Sequence, residues 1–282
     1  MGTYGNSVNV PAGFLRFPDG TFVEFGVPGA SSTRGIAINA TGAVTGEYRV
    51  ADGEDHGYVR SAQGVITTFD VPNSASTTPV AINHEGEITG YANGGSEGIG
   101  FVRHADGKID TFVVPGGTDG TYPLSIDSDG EVAGWYEKYG YSGAFVRWRN
   151  GSFKLFALRD DLGTKPVRIT PHKFIAGVRE DKSKVDRGFI RDPAGKITTF
   201  EIANTTTLPT AMNVHNEITG YFGNTTGFIR FYNRKRILTF SVINSVGTYP
   251  TAINGKGDIV GSFVGNFATS QYAYEQGFLR TP

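Results

Sequence analysis

One four-residue signature returns along the whole chain: a glycine, an aromatic residue, an aliphatic residue and an arginine. It reads Gly13-Phe14-Leu15-Arg16, Gly57-Tyr58-Val59-Arg60, Gly100-Phe101-Val102-Arg103, Gly188-Phe189-Ile190-Arg191, Gly227-Phe228-Ile229-Arg230 and Gly277-Phe278-Leu279-Arg280, and Gly143-Ala144-Phe145-Val146-Arg147 carries one inserted residue. Counted on the aromatic residue, the copies lie 44, 43, 44, 44, 39 and 50 residues apart. A period near 44 without helical spacing falls in the range of propeller blades.

Three further landmarks follow each tetrad. A Gly turn leads into a strand ending in Phe, as in Asp19-Gly20-Thr21-Phe22-Val23-Glu24-Phe25 and Gly195-Lys196-Ile197-Thr198-Thr199-Phe200. After a loop comes Ala37-Ile38-Asn39, Ala81-Ile82-Asn83, Ser125-Ile126-Asp127, Arg168-Ile169-Thr170, Ala211-Met212-Asn213 or Ala252-Ile253-Asn254. A Gly-rich strand closes the unit, as in Ala43-Val44-Thr45-Gly46 and Glu217-Ile218-Thr219-Gly220. Alternation and β-branching mark all four as short strands. The expected fold is therefore all-β: a six-bladed β-propeller with four antiparallel strands per blade and about 44 residues per repeat. It forms one domain over 1–282, with units 13–48, 57–92, 100–136, 143–179, 188–222 and 227–263. The terminal stretches 1–12 and 264–282 duplicate one another in type, so the spare strand is expected to add to an edge or to pair with another molecule.

The pattern resembles the bacterial extracellular family of HAF repeats, whose units carry Gly-Phe, Val-Pro-Gly and Ile-Asn-x-x-Gly-x-Ile-x-Gly elements. Val27-Pro28-Gly29 and Ile38-Asn39-Ala40-Thr41-Gly42-Ala43-Val44-Thr45-Gly46 carry the likeness, which extends over almost the whole chain. The resemblance implies a secreted or surface-exposed propeller and brings no shared catalytic motif. The fourth unit departs most, because Ile169-Thr170-Pro171-His172-Lys173 lacks the Asn and Gly of the turn.

Composition narrows the partners. With 26 basic and 27 acidic residues, the formal charge is −1, which gives no global field for nucleic acid or an anionic membrane. No apolar run is long enough to span a bilayer, and the start lacks the pattern of a signal peptide. An extracellular or periplasmic protein that has lost its leader is the first expectation, and a cytoplasmic one the second. There are no cysteines, which excludes disulfides and thiolate sites; no cofactor and no metal are expected. The 40 glycines are more than average usage supplies, and tight hairpins and close strand approaches account for the excess.

Function is expected in residues that break the repeat, on the face carrying the longer connections. Aligned on the repeat, Arg34, Thr78, Tyr122, Lys165, Leu208 and Tyr249 share one register position, and Glu47, Tyr91, Trp135, Val178, Tyr221 and Ser262 share another. If they rim a central funnel, cations, phenols, a carboxylate and a flat indole converge there. The ligand-binding candidates are Arg34, Glu47, Tyr122, Trp135, Lys165, Arg179 and Tyr249, suited to a glycan, a peptide or a small anionic molecule. A protein partner on the loop face or an edge strand is a further expectation. The first reading is a binding module. The alternatives are a lyase, hydrolase or cyclase with a funnel active site and a structural module joined through terminal strands.

Other signals favour structural roles. Gly94-Gly95-Ser96-Glu97-Gly98 has nucleophile-elbow spacing but no helix to follow it. Asp127-Ser128-Asp129-Gly130 reads as a β-turn rather than a calcium loop. The histidines at 56, 84, 104, 172 and 215 have no metal-ligand spacing. His56, beside Asp52, Glu54 and Asp55, is read as a surface histidine, with a base or weak metal site as the alternative. Arg159, Asp160 and Asp161 include a carboxylate pair, and the run from Arg179-Glu180-Asp181-Lys182 to Asp186-Arg187 reads as a solvated loop. Trp148 is read as packing. The tetrad arginines are expected to pair with a carboxylate or carbonyl within or between blades.

Overall fold

The computed structural model describes all residues except 6–10, 52, 94–97, 118, 159–160, 224, 233–235 and 266–274. The described residues form 26 β-strands and no helix. Two compact units emerge. One comprises Met1–Gly140 with Phe145–Lys154, and the other comprises Tyr141–Ala144 with Leu155–Pro282.

Within the first unit, Ser32–Ile38, Val44–Arg49, Asp55–Arg60 and Ile66–Phe69 form a four-stranded antiparallel sheet in that order. A four-stranded sheet therefore begins with the Ala-Ile-Asn strand and continues through the Gly-rich, tetrad and Phe strands. The same order recurs in Ser76–Ile82, Ile88–Asn93, Gly98–Arg103 and Ile109–Phe112. In the second unit it recurs over Gly163–Phe200 and Thr207–Phe240. A sheet thus joins the second half of one sequence unit to the first half of the next. The end sheets have three strands each: Gly2–Gly5, Pro11–Arg16 and Phe22–Phe25 lack an Ala-Ile-Asn strand, whereas Ser245–Ile253, Ile259–Gly265 and Glu275–Arg280 lack a Phe strand.

The tetrad explains how one sheet grips the next. Its glycine lies directly opposite the Phe that ends the fourth strand, as in Gly57↔Phe69, Gly100↔Phe112 and Gly188↔Phe200. A Cβ on Gly57 would stand 2.7 Å from the Phe69 ring, so glycine gives the ring its bed. That ring then meets the tetrad of the following sheet. Phe101 approaches Phe69 edge-on at 6.2 Å, and the Arg103 guanidinium lies 5.0 Å from the Phe69 centroid. The pairs Arg60–Phe25, Arg147–Phe112, Arg191–Phe156, Arg230–Phe200 and Arg280–Phe240 repeat the stack at 4.7–5.2 Å. The tetrad arginine is thus a cation–π clamp between sheets. Its expected bond to a carbonyl exists too, but within the tetrad's own hairpin, as in Arg60 Nη1 donating to Ser61 O at 3.2 Å.

The turn asparagines make a second seam. Asn39 Nδ2 donates to Asn83 O at 2.9 Å, Asn83 Nδ2 to Asp127 O at 2.9 Å, and Asn213 Nδ2 to Asn254 O at 3.0 Å. Their Oδ1 atoms meanwhile accept backbone N–H groups of their own turns, as Asn39 does from Thr41 and Ala43. Asp127 makes the same turn by accepting from the N–H groups of Asp129 and Glu131. In the divergent fourth unit the hairpin survives: Lys173 takes φ 62° where Gly42, Gly86, Gly130 and Gly257 stand in other units and Asn216 in the fifth, and Thr170 N still donates to Phe174 O at 2.9 Å.

Candidate ligand-binding row

Three repeated devices hold the candidate residues. First, the threonine preceding each register position is buried, and its Oγ1 accepts the backbone N–H of the loop before it: Val27 to Thr33, Val71 to Thr77 and Val114 to Thr121, each at 3.0 Å. Second, each Ala-Ile-Asn strand slips register just after the residue that follows the position, at Gly35/Ala37, Pro79/Ala81, Pro123/Ser125, Pro166/Arg168, Pro209/Ala211 and Pro250/Ala252. Proline fits there because an edge strand at a bulge has no ladder bond to lose. Third, the bulge brings the register residue's carbonyl onto the Gly-rich strand. A Cβ on Gly46, Gly90, Gly134, Gly177, Gly220 or Gly261 would run into the carbonyl of Arg34, Thr78, Tyr122, Lys165, Leu208 or Tyr249.

The two aligned positions prove to be cross-strand partners. Arg34 faces Glu47, Thr78 faces Tyr91, Tyr122 faces Trp135, Lys165 faces Val178, Leu208 faces Tyr221 and Tyr249 faces Ser262. Directly opposed residues share one sheet face, so each pair acts together. Arg34 Nη1 donates to Glu47 Oε1 at 3.1 Å, from a side chain 64% exposed to one 12% exposed. Tyr122 stacks on Trp135 with centroids 4.2 Å apart and planes at 21°, and Tyr91 meets Tyr122 edge-on at 5.4 Å. All three rings are half-buried. Tyr122 lies back along its strand, where a Cβ on Gly98 would come within 3.0 Å of the ring. Burial pushes its phenol pKa up, with Glu137 adding to the effect. In the second unit, Tyr249 meets Tyr221 edge-on at 5.2 Å.

Lys165 and Arg179 occupy adjacent strands but belong to different groups. Lys165 is exposed, and with Ser142, Gly163, Val178, Glu180 and Asp186 it lines a recess of about 80 Å³. Glu180 and Asp186 are cross-strand partners. Burial raises the Asp186 carboxyl pKa, Glu180 raises it further, and Lys165 opposes both. Arg179 instead faces Thr164 and Arg187, and its charge is met by Asp161; Arg187 is met by Asp181 and Glu201. Arg179 is thus committed to an ion pair rather than to the Lys165 recess. Of the charged run expected as a solvated loop, 181–185 form the connection, and Arg179, Glu180, Asp186 and Arg187 lie in the strands Ile175–Glu180 and Asp186–Arg191 on either side. Counting on motifs missed Glu180 and Asp186 because their pairing follows only from strand register.

Gly94–Glu97 of the nucleophile-like stretch, Asp52 near His56, and Arg159 and Asp160 lie outside the described residues. His56 stacks on Tyr48, with centroids at 5.2 Å, and its Nδ1 lies 2.9 Å from Asp70 Oδ1. Trp148 is half-buried at the tetrad hairpin. Among the described residues no group of three or more His, Asp or Glu side chains could hold a metal, and no helix is long and apolar enough to cross a membrane.

His104 has a stronger setting than its hairpin position suggests. Its Nε2 lies 3.0 Å from Asp110 Oδ2 and its Nδ1 3.2 Å from the buried Glu87, which also pairs with Arg149 at 2.9 Å. The bond to Asp110 raises the His104 pKa; burial opposes this, and Glu87 adds to it. Burial alone would raise the Glu87 pKa, but hydrogen bonds from Asn83 and His104 outweigh it and bring it below the ordinary value. A raised histidine pKa stabilises the fold below its unfolded pKa, and that gain is lost as pH rises through the folded value. Melting curves should therefore show His104→Gln losing more stability at pH 5.5 than at pH 8.5.

No protein-family model matches the sequence, and neither does any curated protein. Solved structures do match. A selenomethionine-substituted virginiamycin B lyase from Staphylococcus aureus is 17% identical with a TM-score of 0.63, over 90% of this chain and 85% of that one. The β-propeller domain of the Trilobed protease from Pyrococcus furiosus, described as having an open velcro topology, is 8% identical with a TM-score of 0.67, over 99% and 89% of the two chains. TolB from Acinetobacter baumannii is 14% identical with a TM-score of 0.58, over 86% of this chain and 63% of that one. At these identities the likeness speaks for architecture alone, and with the repeated four-strand order it gives this all-β chain the β-propeller fold.

Proposed function

We propose that this chain is a secreted or surface-exposed propeller of the HAF-repeat kind that serves as a binding module, with a glycan as its ligand on the row Tyr91, Tyr122 and Trp135. The observation that carries the reading is the Tyr122–Trp135 pair. Two flat rings stacked at 4.2 Å, half open to solvent, face each other across two paired strands whose neighbouring positions are fixed by the buried threonine, the bulge and the glycine. A pyranose ring packs its C–H face on such a surface and turns its hydroxyls to polar neighbours. The Tyr122 hydroxyl supplies one donor and acceptor.

A second reading rests on the recess at Lys165. A carboxyl whose pKa is raised by burial and by Glu180, beside an ammonium and the Ser142 hydroxyl, has the make-up of a general-acid site for a hydrolase or lyase. One experiment separates the two. The protein is applied to a glycan array, and the retained oligosaccharides are then incubated with it and followed by mass spectrometry. The binding reading expects retention without turnover, and at least tenfold weaker retention for Trp135→Ala. Cleavage that Asp186→Asn abolishes would favour the enzyme. Absence of retention on every glycan would remove the first reading.

A further inference from the structure

One carboxylate gathers the links between two neighbouring sheets of the first unit. Glu87, whose side chain is 5% exposed, accepts from Asn83 Nδ2 and from Arg149 Nη2, each at 2.9 Å. The same Asn83 Nδ2 donates to Asp127 O at 2.9 Å, and Arg149 Nη1 donates to Asp129 O at 3.1 Å. A Cβ on Gly130 would stand 2.9 Å from Glu87 Oε2, so the carboxylate lies directly against the turn 127–130 of the following sheet. That turn joins Gly120–Ile126 to Val132–Lys138, the strands that carry Tyr122 and Trp135.

His104 holds this carboxylate from another side, and it breaks the repeat. The residue after the tetrad arginine is Phe17, Ser61, Trp148, Asp192, Phe231 or Thr281 in the other copies. His104 Nδ1 lies 3.2 Å from Glu87 Oε1 and its Nε2 3.0 Å from Asp110 Oδ2. Both carboxyls favour the ionised form. Burial works against it at Glu87, but the bonds from Asn83 and His104 outweigh burial; Lys108, 2.8 Å from Asp110 Oδ1, lowers the Asp110 pKa, and His104 adds to this. Ionised carboxylates only accept, so the arrangement requires a proton on both ring nitrogens. Further charges nearby are Arg103, whose Nη1 donates to His104 O at 3.3 Å, and Asp106 in the same hairpin, with Asp129 and Glu131 at the following turn. Loss of the proton leaves the ring a single N–H. Asp110 is the stronger partner, so Nδ1 then turns a lone pair to Glu87.

We propose that His104 is a proton-operated latch on this seam: the imidazolium pins Glu87 against the turn 127–130, and the neutral ring releases it, so that the turn opens locally while the sheets stay paired. The pKa of His104 is raised above the ordinary histidine value by Asp110, against burial and with help from Glu87. The latch is therefore closed at mildly acidic pH and opens as pH rises through that raised value. Local opening of this kind exposes backbone N–H groups to exchange without global unfolding.

The opening is read at the N–H groups of Asp129, Gly130 and Glu131, which donate to Asp127 in the closed turn. The chain carries its own reference. Lys256, Gly257 and Asp258 donate to Asn254 in the same way, Asn213 Nδ2 joins Glu217 to Asn254 O, and Phe231 stands at the position of His104. Amide exchange on the full chain, resolved by residue, should show the protection of 129–131 relative to 256–258 falling at least fivefold between pH 5.5 and pH 8.5. His104→Gln should remove that pH dependence. Asp110→Asn should lower the midpoint of the exchange change together with the ring midpoint of His104 measured by NMR. A wild-type ratio equal at both pH values, a pH dependence that persists in folded His104→Gln, or an exchange midpoint that stays while the ring midpoint moves would overturn the proposal.

Discussion

Gly90→Val should leave no folded protein to purify. A Cβ at this position would run into the Thr78 carbonyl, stand 2.8 Å from the Pro79 Cα and press 2.9 Å from the Phe101 ring. Two of the three obstacles are backbone, which cannot turn aside as a side chain does, and the bulge at Pro79/Ala81 holds them there. Such a clash belongs with the rare substitutions that cost above about 4–5 kcal/mol, a large part of the stability of any domain. Gly29→Ala is the informative control. Nothing lies within 4 Å of its Cβ position, and only its φ of 79° resists, so a loss of about 1 kcal/mol by denaturant titration is expected.

Phe101→Ala should come next in size. The ring is fully buried in a cluster with Val71, Ile82, Ile88 and Ala92, and it meets Phe69 edge-on. Removing it leaves a cavity and withdraws the edge contact from Phe69, which keeps the Arg103 cation over its ring. Truncation of a buried Phe costs about 3–5 kcal/mol. In urea titration the midpoint should fall with little change in slope. A loss below about 1 kcal/mol would mean that the tetrad aromatic is not the anchor between sheets.

The strands themselves were readable because the repeat writes each of them several times, but not which of them share a sheet. The order within a sheet was not, since periodicity has no phase: the tetrad opens the sequence unit, yet it occupies the third strand of each complete sheet. The role of the tetrad arginine was hidden for a related reason. Its partner, the Phe of the preceding sheet, lies about 35 residues earlier, as Phe69 does from Arg103, and no local pattern joins them.

The candidate row was legible as two aligned positions, Arg34 to Tyr249 and Glu47 to Ser262, and strand register makes them partners. Arg179, expected among the ligand-binding residues, follows Val178 in its strand. Alternation turns successive residues of a strand to opposite faces, and Arg179 answers Asp161 instead. Glu180 and Asp186 read as parts of a solvated run because they stand six residues apart and meet only across a hairpin.

The most direct test of the ligand row uses the fluorescence of its own indole. The chain has two tryptophans, Trp135 and Trp148, so Trp148→Phe leaves Trp135 as the sole reporter. Titrating that variant with the oligosaccharides retained on the array should shift and saturate the Trp135 emission. Adding Tyr122→Ala should weaken the apparent affinity at least tenfold. Retained oligosaccharides that leave the Trp135 emission unchanged at saturation would place the ligand elsewhere and contradict the account.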